Sequence, residues 1–414
     1  MRKQSAFCAL SVTIVCSTTS AALVRPSLVP IPSADYEWLQ NATALLVKGC
    51  LLTTPTGAMI FTPDASSSYG AQWTRDFTMA LSNAPGALRA SGANVSAAVA
   101  YTLDRITPSG QVPDRVQADG TPVFAPGGPG AWPIQLAWDN MPYAGLLLAS
   151  YVREWNDTAF YCTYEPTVRR ALAFVERHSA GTGGGTLAYN DPAHPNCSFG
   201  FEDSVVLPGH QLTVSLLLYD AASQLAQISA DTACGNESFY HSIASSIASA
   251  VDTLSDTATP LFLASDVLET IPDVFGSAYA VTLGLSTSTR RAGISAYLAT
   301  QWNASSSGNA ATIFQDGQVR HLPQPLLWRQ CWGGSCPAPG TYQNGAFWAT
   351  PLNWVIPALA AGGFRDAASA VARSTVASFR NSGIWEAINR PIGYTGVRDY
   401  VASATNLLGV VTPG

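Results

Sequence analysis

Helical segments in alternating pairs dominate the sequence and limit the folds open to it. Apolar residues recur with helical spacing in twelve segments. The even-numbered segments are apolar almost all round, as buried helices are, whereas the odd-numbered ones carry a polar face. This alternation predicts an all-α fold, an (α/α)6 toroid of six helical hairpins. The predicted helices cover residues 35–47, 75 onward, 94–106, 139–155, 166–178, 211–228, 237–254, 274–285, 288–302, 345–361, 365–379 and 400–411.

Proline and serine residues indicate where single helices begin or bend. Pro166 suits the first position of the fifth helix and Ser288 the N-cap of the ninth. Pro85 is expected to end the second helix, and Pro351 and Pro357 to kink the tenth. Strand signals are sparse and no Pro/Ser-rich linker divides the chain. Residues 23–414 are therefore predicted to form a single domain.

Unusual polar segments lie just before or at the start of each even-numbered helix. If the inner helices run parallel, these segments meet at one mouth, where carboxylates, amides and aromatic faces form a cleft suited to sugars. An Asp near a helix start is commonly only a cap. Six such segments, each at or just before the start of an even-numbered helix, nevertheless favour a shared site. They are 73–76 (Trp-Thr-Arg-Asp), 138–140 (Trp-Asp-Asn), 201–204 (Phe-Glu-Asp-Ser), 272–273 (Pro-Asp), 342–345 (Tyr-Gln-Asn-Gly) and 393–400.

These motifs give the chain a resemblance to the six-hairpin (α/α)6 glycosidases. That superfamily includes trehalases, processing α-glucosidases, the amylo-glucosidase part of glycogen debranching enzyme, and glucoamylases. The resemblance rests on Trp-x-Arg-Asp at 73–76, Gly-Phe-Glu-Asp-Ser at 200–204, Tyr-Gln-Asn-Gly-x-x-Trp at 342–348, and Trp-Glu at 385–386 followed by Gly-Tyr at 393–394 and the helix at 403–409. It implies a glycoside hydrolase whose motifs extend over nearly the whole chain after residue 22.

The resemblance implies an inverting mechanism with two opposed carboxyl groups roughly 6.5–9.5 Å apart. Asp203 matches the general acid of these enzymes, and adjacent Glu202 is the alternative acid. Partial burial and the neighbouring charge are expected to raise the pKa of Asp203. Glu386 matches the general base that activates water, with Asp399 as the alternative base.

Further residues of the same motifs are predicted to bind substrate. Arg75 and Asp76 would hold hydroxyls of the sugar, with an ion pair inside the loop as the alternative role. The aromatic residues would stack on sugar rings or wall the cleft, unless they are core residues. The predicted substrate-binding residues are Trp73, Arg75, Asp76, Trp138, Asp139, Asn344, Trp348, Trp385 and Tyr394.

Three other functions remain open from the sequence. The segment at 138–142 (Trp-Asp-Asn-Met-Pro) is also similar to unsaturated glucuronyl hydrolases, which would make Asp139 the general acid. A polysaccharide lyase on the same toroid and a non-catalytic carbohydrate-binding protein are the other two. Few basic residues, apart from Arg75, Arg115 and Arg398, lie at the predicted mouth. We therefore expect neutral, α-linked glucosyl or mannosyl oligosaccharides as substrates.

The N-terminus and the cysteines indicate an extracellular protein. Residues 1–22 have a basic start, a short apolar stretch and small residues suited to cleavage, as a secretory signal does. Six cysteines follow, an even number that predicts disulfides, and Cys331 and Cys336 could close a small loop. No later uninterrupted run of about 18 apolar residues predicts a membrane anchor. Six N-glycosylation sequons follow the signal: Asn41, Asn94, Asn156, Asn196, Asn236 and Asn303.

Composition excludes several other classes of protein. Hydrophobic residues make up 47% and charged residues 12%, which argues against intrinsic disorder. The net charge is −6 and no basic cluster stands out, so no nucleic-acid partner is expected. With 5 His and no Cys-x2-Cys pair, the sequence predicts no metal site, and it shows no cofactor motif. We expect a monomer that acts on glycans without a cofactor.

Overall fold

The computed structural model describes residues 28–66, 68–127, 134–180, 186–309 and 311–414. The predicted signal at 1–22 lies outside these residues. The described residues form thirteen α-helices: α1 (Ser33–Gly49), α2 (Thr74–Asn83), α3 (Pro85–Ala90), α4 (Val95–Leu103), α5 (Asn140–Trp155), α6 (Thr158–Ala180), α7 (Leu212–Asp231), α8 (Glu237–Ala250), α9 (Val274–Thr282), α10 (Ser288–Ser306), α11 (Leu352–Ala361), α12 (Arg365–Ser382) and α13 (Val401–Leu408).

Six of these helices form a closed inner ring. Helices α2, α5, α7, α9, α11 and α13 each contact the next helix of the series, and α13 returns to α2. Helices α1, α4, α6, α8, α10 and α12 pack around the outside of this ring. The arrangement is an (α/α)6 toroid in a single domain, which confirms the predicted fold class.

Burial follows the alternation that the sequence predicted. Every residue of α5 from Asn140 to Val152 is buried, and so is every residue of α9 from Val274 to Val281. Outer helix α10 buries only one narrow stripe, which includes Ile294 and Leu298. Helices that are apolar all round therefore fill the ring, and amphipathic helices turn their polar faces outward.

Short strands connect the helices and form six small sheets. The largest sheet has five antiparallel strands, in the order β11 to β15, and contributes to the end of the ring where α11 and α13 begin. The strands are β1 (Val29–Ile31), β2 (Leu51–Thr53), β3 (Met59–Phe61), β4 (Ala71–Trp73), β5 (Arg115–Gln117), β6 (Pro122–Val123), β7 (Tyr189–Asn190), β8 (Gly209–His210), β9 (Phe262–Leu263), β10 (Pro272–Asp273), β11 (Phe314–Gln315), β12 (Gln318–Arg320), β13 (Phe347–Trp348), β14 (Ala387–Asn389), β15 (Tyr394–Thr395) and β16 (Val411–Pro413).

Two of the predicted helix starts are wrong. Pro166 lies inside α6, which already begins at Thr158. The first two turns of α6 are held by fully buried Tyr161 and by a disulfide at Cys162, so packing outweighs the hydrogen bond that proline removes. The N-cap of α10 is Thr287, whose side chain accepts a hydrogen bond from the N–H of Arg290.

The segment before α11 also differs from the prediction. Residues 347–348 form strand β13 instead of the start of a helix. Pro351 is the N-cap of α11 and does not kink it, because a proline at a helix start sacrifices no intrahelical hydrogen bond. Pro357 lies inside α11 as expected. The last predicted helix ends early, at Leu408, and the following residues pair with β1 as strand β16.

Two disulfides are present among the described cysteines. Cys331 pairs with Cys336, as predicted, and Cys162 pairs with Cys234. Cys50 and Cys197 are buried free thiols. No helix within the described ranges combines the length and apolar character that crossing a bilayer requires.

Candidate active site

The segments that precede the inner helices contact one another, as their common position in the sequence predicted. Arg75, in the first turn of α2, pairs with Asp139 at the start of α5. The segment before α11 contacts the segment before α7 through a hydrogen bond from Gln343 to Asp203. The N-terminal ends of the inner helices therefore lie at one end of the toroid.

A buried guanidinium ties three of these segments together. Nη2 of Arg75 lies 2.6 Å from Asp114 Oδ1, and Nε lies 3.1 Å from Asp139 Oδ2. The N–H of Gly200 donates a hydrogen bond to Asp139 Oδ2 at 2.8 Å. A Cβ atom on Gly200 would lie 1.8 Å from Arg75 Cζ, so only glycine lets the guanidinium pass this close to the backbone. Arg75 balances two carboxylates that have no exposure to solvent.

Asp203, the predicted acid, follows the 3-10 turn Gly200–Glu202 and is 9% exposed. Gln343 Nε2 donates a hydrogen bond to Asp203 Oδ1 at 2.8 Å. Burial raises the pKa of Asp203 to about 6, although the charge of Arg75 and the Gln343 hydrogen bond oppose this. Helix α7 begins later, with Gln211 as its N-cap. Asp203 therefore does not cap that helix.

Glu386, the predicted base, lies directly before β14 and is 4% exposed. The hydroxyl of Tyr69 donates a hydrogen bond to its Oε1 at 3.0 Å, and the N–H of Val397 donates one to its Oε2 at 3.3 Å. Burial raises the pKa of Glu386 to about 7, although these two hydrogen bonds lower it. The charges of Asp76 and Asp203 raise it further. Burial is thus the main cause of the raised pKa of Glu386, and the charge of Asp203 is a smaller one.

Tyrosines lie beside both carboxyls. Burial raises the pKa of Tyr342, and the charges of Asp203 and Glu386 raise it further. Burial also raises the pKa of Tyr69, and the charges of Glu386 and Asp203 raise it further. Burial and the charge of Glu386 raise the pKa of Tyr394 to about 12. These phenols stay neutral near pH 7, and the hydroxyl of Tyr69 donates its hydrogen bond to Glu386.

Asp76 is a third carboxyl of the same group. The hydroxyl of Tyr400, which precedes α13, donates a hydrogen bond to Asp76 Oδ1. Burial raises the pKa of Asp76 to about 6, against the lowering effects of Arg75 and Tyr400. The proposed ion pair inside the loop is not found, because Arg75 contacts Asp114 and Asp139 instead.

Glu202, the alternative acid, belongs to a separate buried cluster. Its Oε1 lies 2.7 Å from His321 Nε2, and Asp273 Oδ1 lies 3.1 Å from the same nitrogen. These three side chains are of metal-ligating type. Their ligand atoms lie within 4.8 Å of one another. The distances fit an imidazolium between two carboxylates, but His321 Nε2 and Glu202 Oε1 make no hydrogen bond of normal geometry, so the same side chains also suit a metal ion.

Two predicted stacking residues are core residues. Trp138 is 5% exposed, packs against Phe174 and donates from Nε1 to Asn190 Oδ1 at 3.1 Å. Trp348 is 1% exposed and packs against Phe201. Trp138 also lies against His178 of α6, and Trp348 against Tyr342. Their predicted role in binding substrate stays a prediction.

Two other residues that were predicted to bind substrate form hydrogen bonds or ion pairs within the protein. Asn344 accepts a hydrogen bond from the N–H of Trp328 at 2.9 Å and donates one to Pro337 O at 2.8 Å, so it fixes a loop. Asp139 is fully buried under Arg75. Its Oδ2 is held by Arg75 and by the N–H of Gly200, whereas its Oδ1 is buried without a hydrogen-bond partner. Its predicted roles as a substrate ligand or as the acid of a glucuronyl hydrolase stay predictions.

The remaining predicted residues are partly exposed. Trp73 lies edge-on to Tyr69, with the Arg115 guanidinium over its ring at 4.7 Å. Trp385 is half-buried and donates from Nε1 to Ser382 O at 2.7 Å. Tyr394 is half-buried beside Glu386. Asp399, the alternative base, has a partly exposed side chain near Arg398, at 3.8 Å.

Sequence reasoning missed Tyr69, Tyr342 and Gln343. Tyr342 and Gln343 belong to the motif at 342–348, but only Asn344 and Trp348 of that motif were predicted to bind substrate. Tyr69 lies in a loop without a motif, and Asp64 holds this loop by accepting hydrogen bonds from the N–H groups of Ser68 and Tyr69. Only the folded chain brings that loop to Glu386.

No protein-family model and no curated protein matches this chain. Solved structures do match it. A GH63 mannosylglycerate hydrolase from Thermus thermophilus in complex with glucose aligns with a TM-score of 0.62 at 14% identity, over 90% of this chain and 99% of that one. A metal-independent α-mannosidase from Streptococcus pneumoniae aligns with a TM-score of 0.59 at 10% identity, over 91% and 92%.

A family 15 glucoamylase from Hypocrea jecorina aligns with a TM-score of 0.57 at 14% identity, over 91% of this chain and 72% of that one. These neighbours are all glycoside hydrolases. At such low identity, the likeness shows that this chain shares their (α/α)6 toroid fold.

Proposed function

We propose that this chain is an inverting glycoside hydrolase that acts on neutral, α-linked glucosyl or mannosyl oligosaccharides. The observation that carries the proposal is the pair of buried carboxyls, Asp203 and Glu386, with pKa values raised to about 6 and about 7. A general acid needs a raised pKa to keep its proton near neutral pH, and two carboxyls with raised pKa values can hold one proton between them. The neighbouring hydrolases of the same fold support the reaction class.

In the proposed reaction, Asp203 donates its proton to the glycosidic oxygen as the bond from that oxygen to the anomeric carbon breaks. Glu386 takes a proton from water, whose oxygen forms the new bond to the opposite face of the anomeric carbon. The leaving sugar departs as an alcohol. Asp203 is then ionised and Glu386 protonated, and exchange with solvent restores both. Tyr69 holds Glu386 in place through its hydrogen bond.

Charge around the two carboxyls supports a neutral substrate. The guanidinium of Arg75 is committed to Asp114 and Asp139. Arg115 is committed to Asp114 and to backbone carbonyls. Neither cation is left to balance a uronate or a phosphate. The neighbouring structures were solved with glucose or with α-1,6-mannobiose, which makes glucosyl and mannosyl linkages the first to try.

A lyase is less well supported than a hydrolase. A lyase needs a base such as a tyrosinate or a neutral histidine. The pKa values of Tyr69, Tyr342 and Tyr400 are raised by burial and by nearby carboxylates, which disfavours a tyrosinate. His321 is held between two carboxylates. A purely sugar-binding role would leave the raised pKa values of Asp203 and Glu386 without a purpose.

We also infer that the protein is secreted and glycosylated. Two disulfides fit an oxidising compartment. Four of the sequon asparagines are exposed on the described surface, namely Asn41, Asn94, Asn156 and Asn303. Secretion by a eukaryotic host, followed by a mass shift on deglycosylation, tests this inference.

Activity is tested first on a panel of aryl glycosides and disaccharides, and then with two variants. Asp203→Asn and Glu386→Gln should each lower kcat/KM about 100- to 10,000-fold while circular dichroism shows native folding. Asp316→Asn is the matched control, because Asp316 is an exposed carboxylate whose ion pair among the described residues is with Arg390. The proposal fails if both active-site variants keep activity comparable to that of the control.

A further inference from the structure

The amide of Gln343 has only one possible orientation. Its Oε1 accepts hydrogen bonds from the backbone N–H of Ser204 at 2.9 Å and from the Ser204 hydroxyl at 2.6 Å. A backbone N–H can only donate, so the atom facing it must be the amide oxygen. The NH2 group therefore faces Asp203, and Nε2 lies 2.8 Å from Oδ1. Gln343 is 1% exposed, so water does not compete for these bonds.

This orientation affects where Asp203 carries its proton. An amide NH2 only donates, so Asp203 Oδ1 accepts this bond. A carbonyl oxygen accepts better than the hydroxyl oxygen of a carboxylic acid, so the bond favours the proton of the neutral acid on Oδ2. Oδ2 has no hydrogen-bond partner among the described residues, so its proton stays available for transfer.

We propose that Gln343 is a positioning residue that holds the proton of Asp203 on Oδ2 and stabilises the carboxylate left after proton transfer. The inference rests on the proposed function, in which Asp203 is the general acid. The bond from Nε2 to Oδ1 becomes charge-assisted as the proton leaves, and such bonds are stronger than neutral ones. Gln343 therefore assists departure of the leaving group without touching the substrate.

Several charged groups around Asp203 affect its pKa. The charges of Arg75, Asp114 and Asp139 act on it. Asp203 in turn acts on Glu386, Tyr69 and Tyr342. Gln343→Met changes none of these charged groups and adds no new one, so a change in the pH profile of that variant reports the lost hydrogen bond.

The test compares substrates whose leaving groups need a proton to different degrees. Gln343→Met keeps the length of the side chain and removes both of its polar groups. We expect kcat/KM on a disaccharide to fall roughly 10- to 100-fold, the worth of one hydrogen bond to a charged group. Activity on the matching glycosyl fluoride should change little, because fluoride departs without protonation. At least one limb of the pH profile should move to higher pH, by about one pH unit, because a carboxylate that loses a donor has a higher pKa.

Two further variants separate this role from a merely structural one. Gln72→Met removes another buried glutamine that makes three hydrogen bonds, to Phe61, Ala98 and Thr102. It should lower stability but leave the ratio of the two activities unchanged. Gln343→Glu keeps the shape of the side chain and replaces the donor with a carboxyl group. It should show the same preference for the fluoride, and it carries the test if Gln343→Met does not fold.

Equal losses on the disaccharide and the fluoride in both Gln343 variants would overturn the inference. Asp203→Asn distinguishes this result from a failure of the proposed function. If Asp203→Asn spares the fluoride while the Gln343 variants do not, only the role of Gln343 is wrong. If Asp203→Asn loses both activities equally, the assignment of Asp203 as the acid is wrong.

Discussion

Adding one methyl group at Gly200 should disrupt the site more than any change of similar size elsewhere. The new Cβ would lie 1.8 Å from Cζ, 1.9 Å from Nε and 2.2 Å from Nη2 of Arg75. The guanidinium of Arg75 cannot move away without losing its ion pairs with Asp114 and Asp139. The backbone cannot retreat without breaking the hydrogen bond from the Gly200 N–H to Asp139.

The cost follows from the buried ion pairs. Removing one partner of such a pair costs about 3–5 kcal/mol, because the remaining charge stays buried and uncompensated. Alanine restricts the unfolded chain and returns about 0.4–1 kcal/mol. We therefore expect Gly200→Ala to lower the free energy of unfolding by about 3 kcal/mol. Displacing the turn that leads to Asp203 by about 1 Å should also lower kcat/KM about 100-fold.

Urea unfolding and kcat/KM measure these two effects. Gly86→Ala is the control, because no atom lies within 4 Å of a Cβ atom at Gly86 and the residue is in helix α3. It should leave stability unchanged or raise it by up to about 1 kcal/mol. If Gly200→Ala matches Gly86→Ala in both assays, the packing of Arg75 against this turn is not what holds the site.

Three further predictions concern protons. The Asp203 and Glu386 pair should be active when it holds one proton, so kcat/KM should follow a bell centred near about pH 6.5, and a flat profile from pH 5 to 8 would exclude this pair. Tyr69→Phe removes a donor to the Glu386 carboxylate, so kcat/KM should fall about tenfold and the bell should move to higher pH; an unmoved bell would contradict it. Burial alone would lower the pKa of His321, but adjacent carboxylates raise it to about 10. Its contribution to stability is thus full below about pH 6.5 and lost as pH rises toward 10. His321→Gln should flatten that decline in urea titrations, and parallel curves for both proteins would refute it.

The ring of helices was predictable because burial alone separates its members. A helix such as α9, buried on all sides, must be apolar all round, and this pattern can be read without coordinates. The start of α11 was not predictable in the same way. The segment at 345–350 carries an apolar pattern, but pairing with β12 and β14 makes part of it a strand. That pairing depends on partners distant in the sequence.

The residues of the site also differ in how far they could be predicted from the sequence. Carboxylates such as Asp203 and Glu386 stand out in an apolar sequence, and their motifs place them before inner helices. The role of an aromatic residue depends on what packs against its ring, and the burial of Trp138 and Trp348 becomes visible only in the folded chain. Tyr69 gives no local signal, because its importance comes from a hydrogen bond to a residue 317 positions away.

The configuration of the first sugar released is the most direct test of the paired-carboxyl mechanism. Proton NMR at early times, before mutarotation, distinguishes the two anomers of the product from an α-linked substrate. Because water attacks the face opposite the departing oxygen, we predict that the β-anomer forms first. Initial release of the α-anomer would show that configuration is retained, and would contradict a mechanism in which Asp203 and Glu386 act as acid and base in a single displacement.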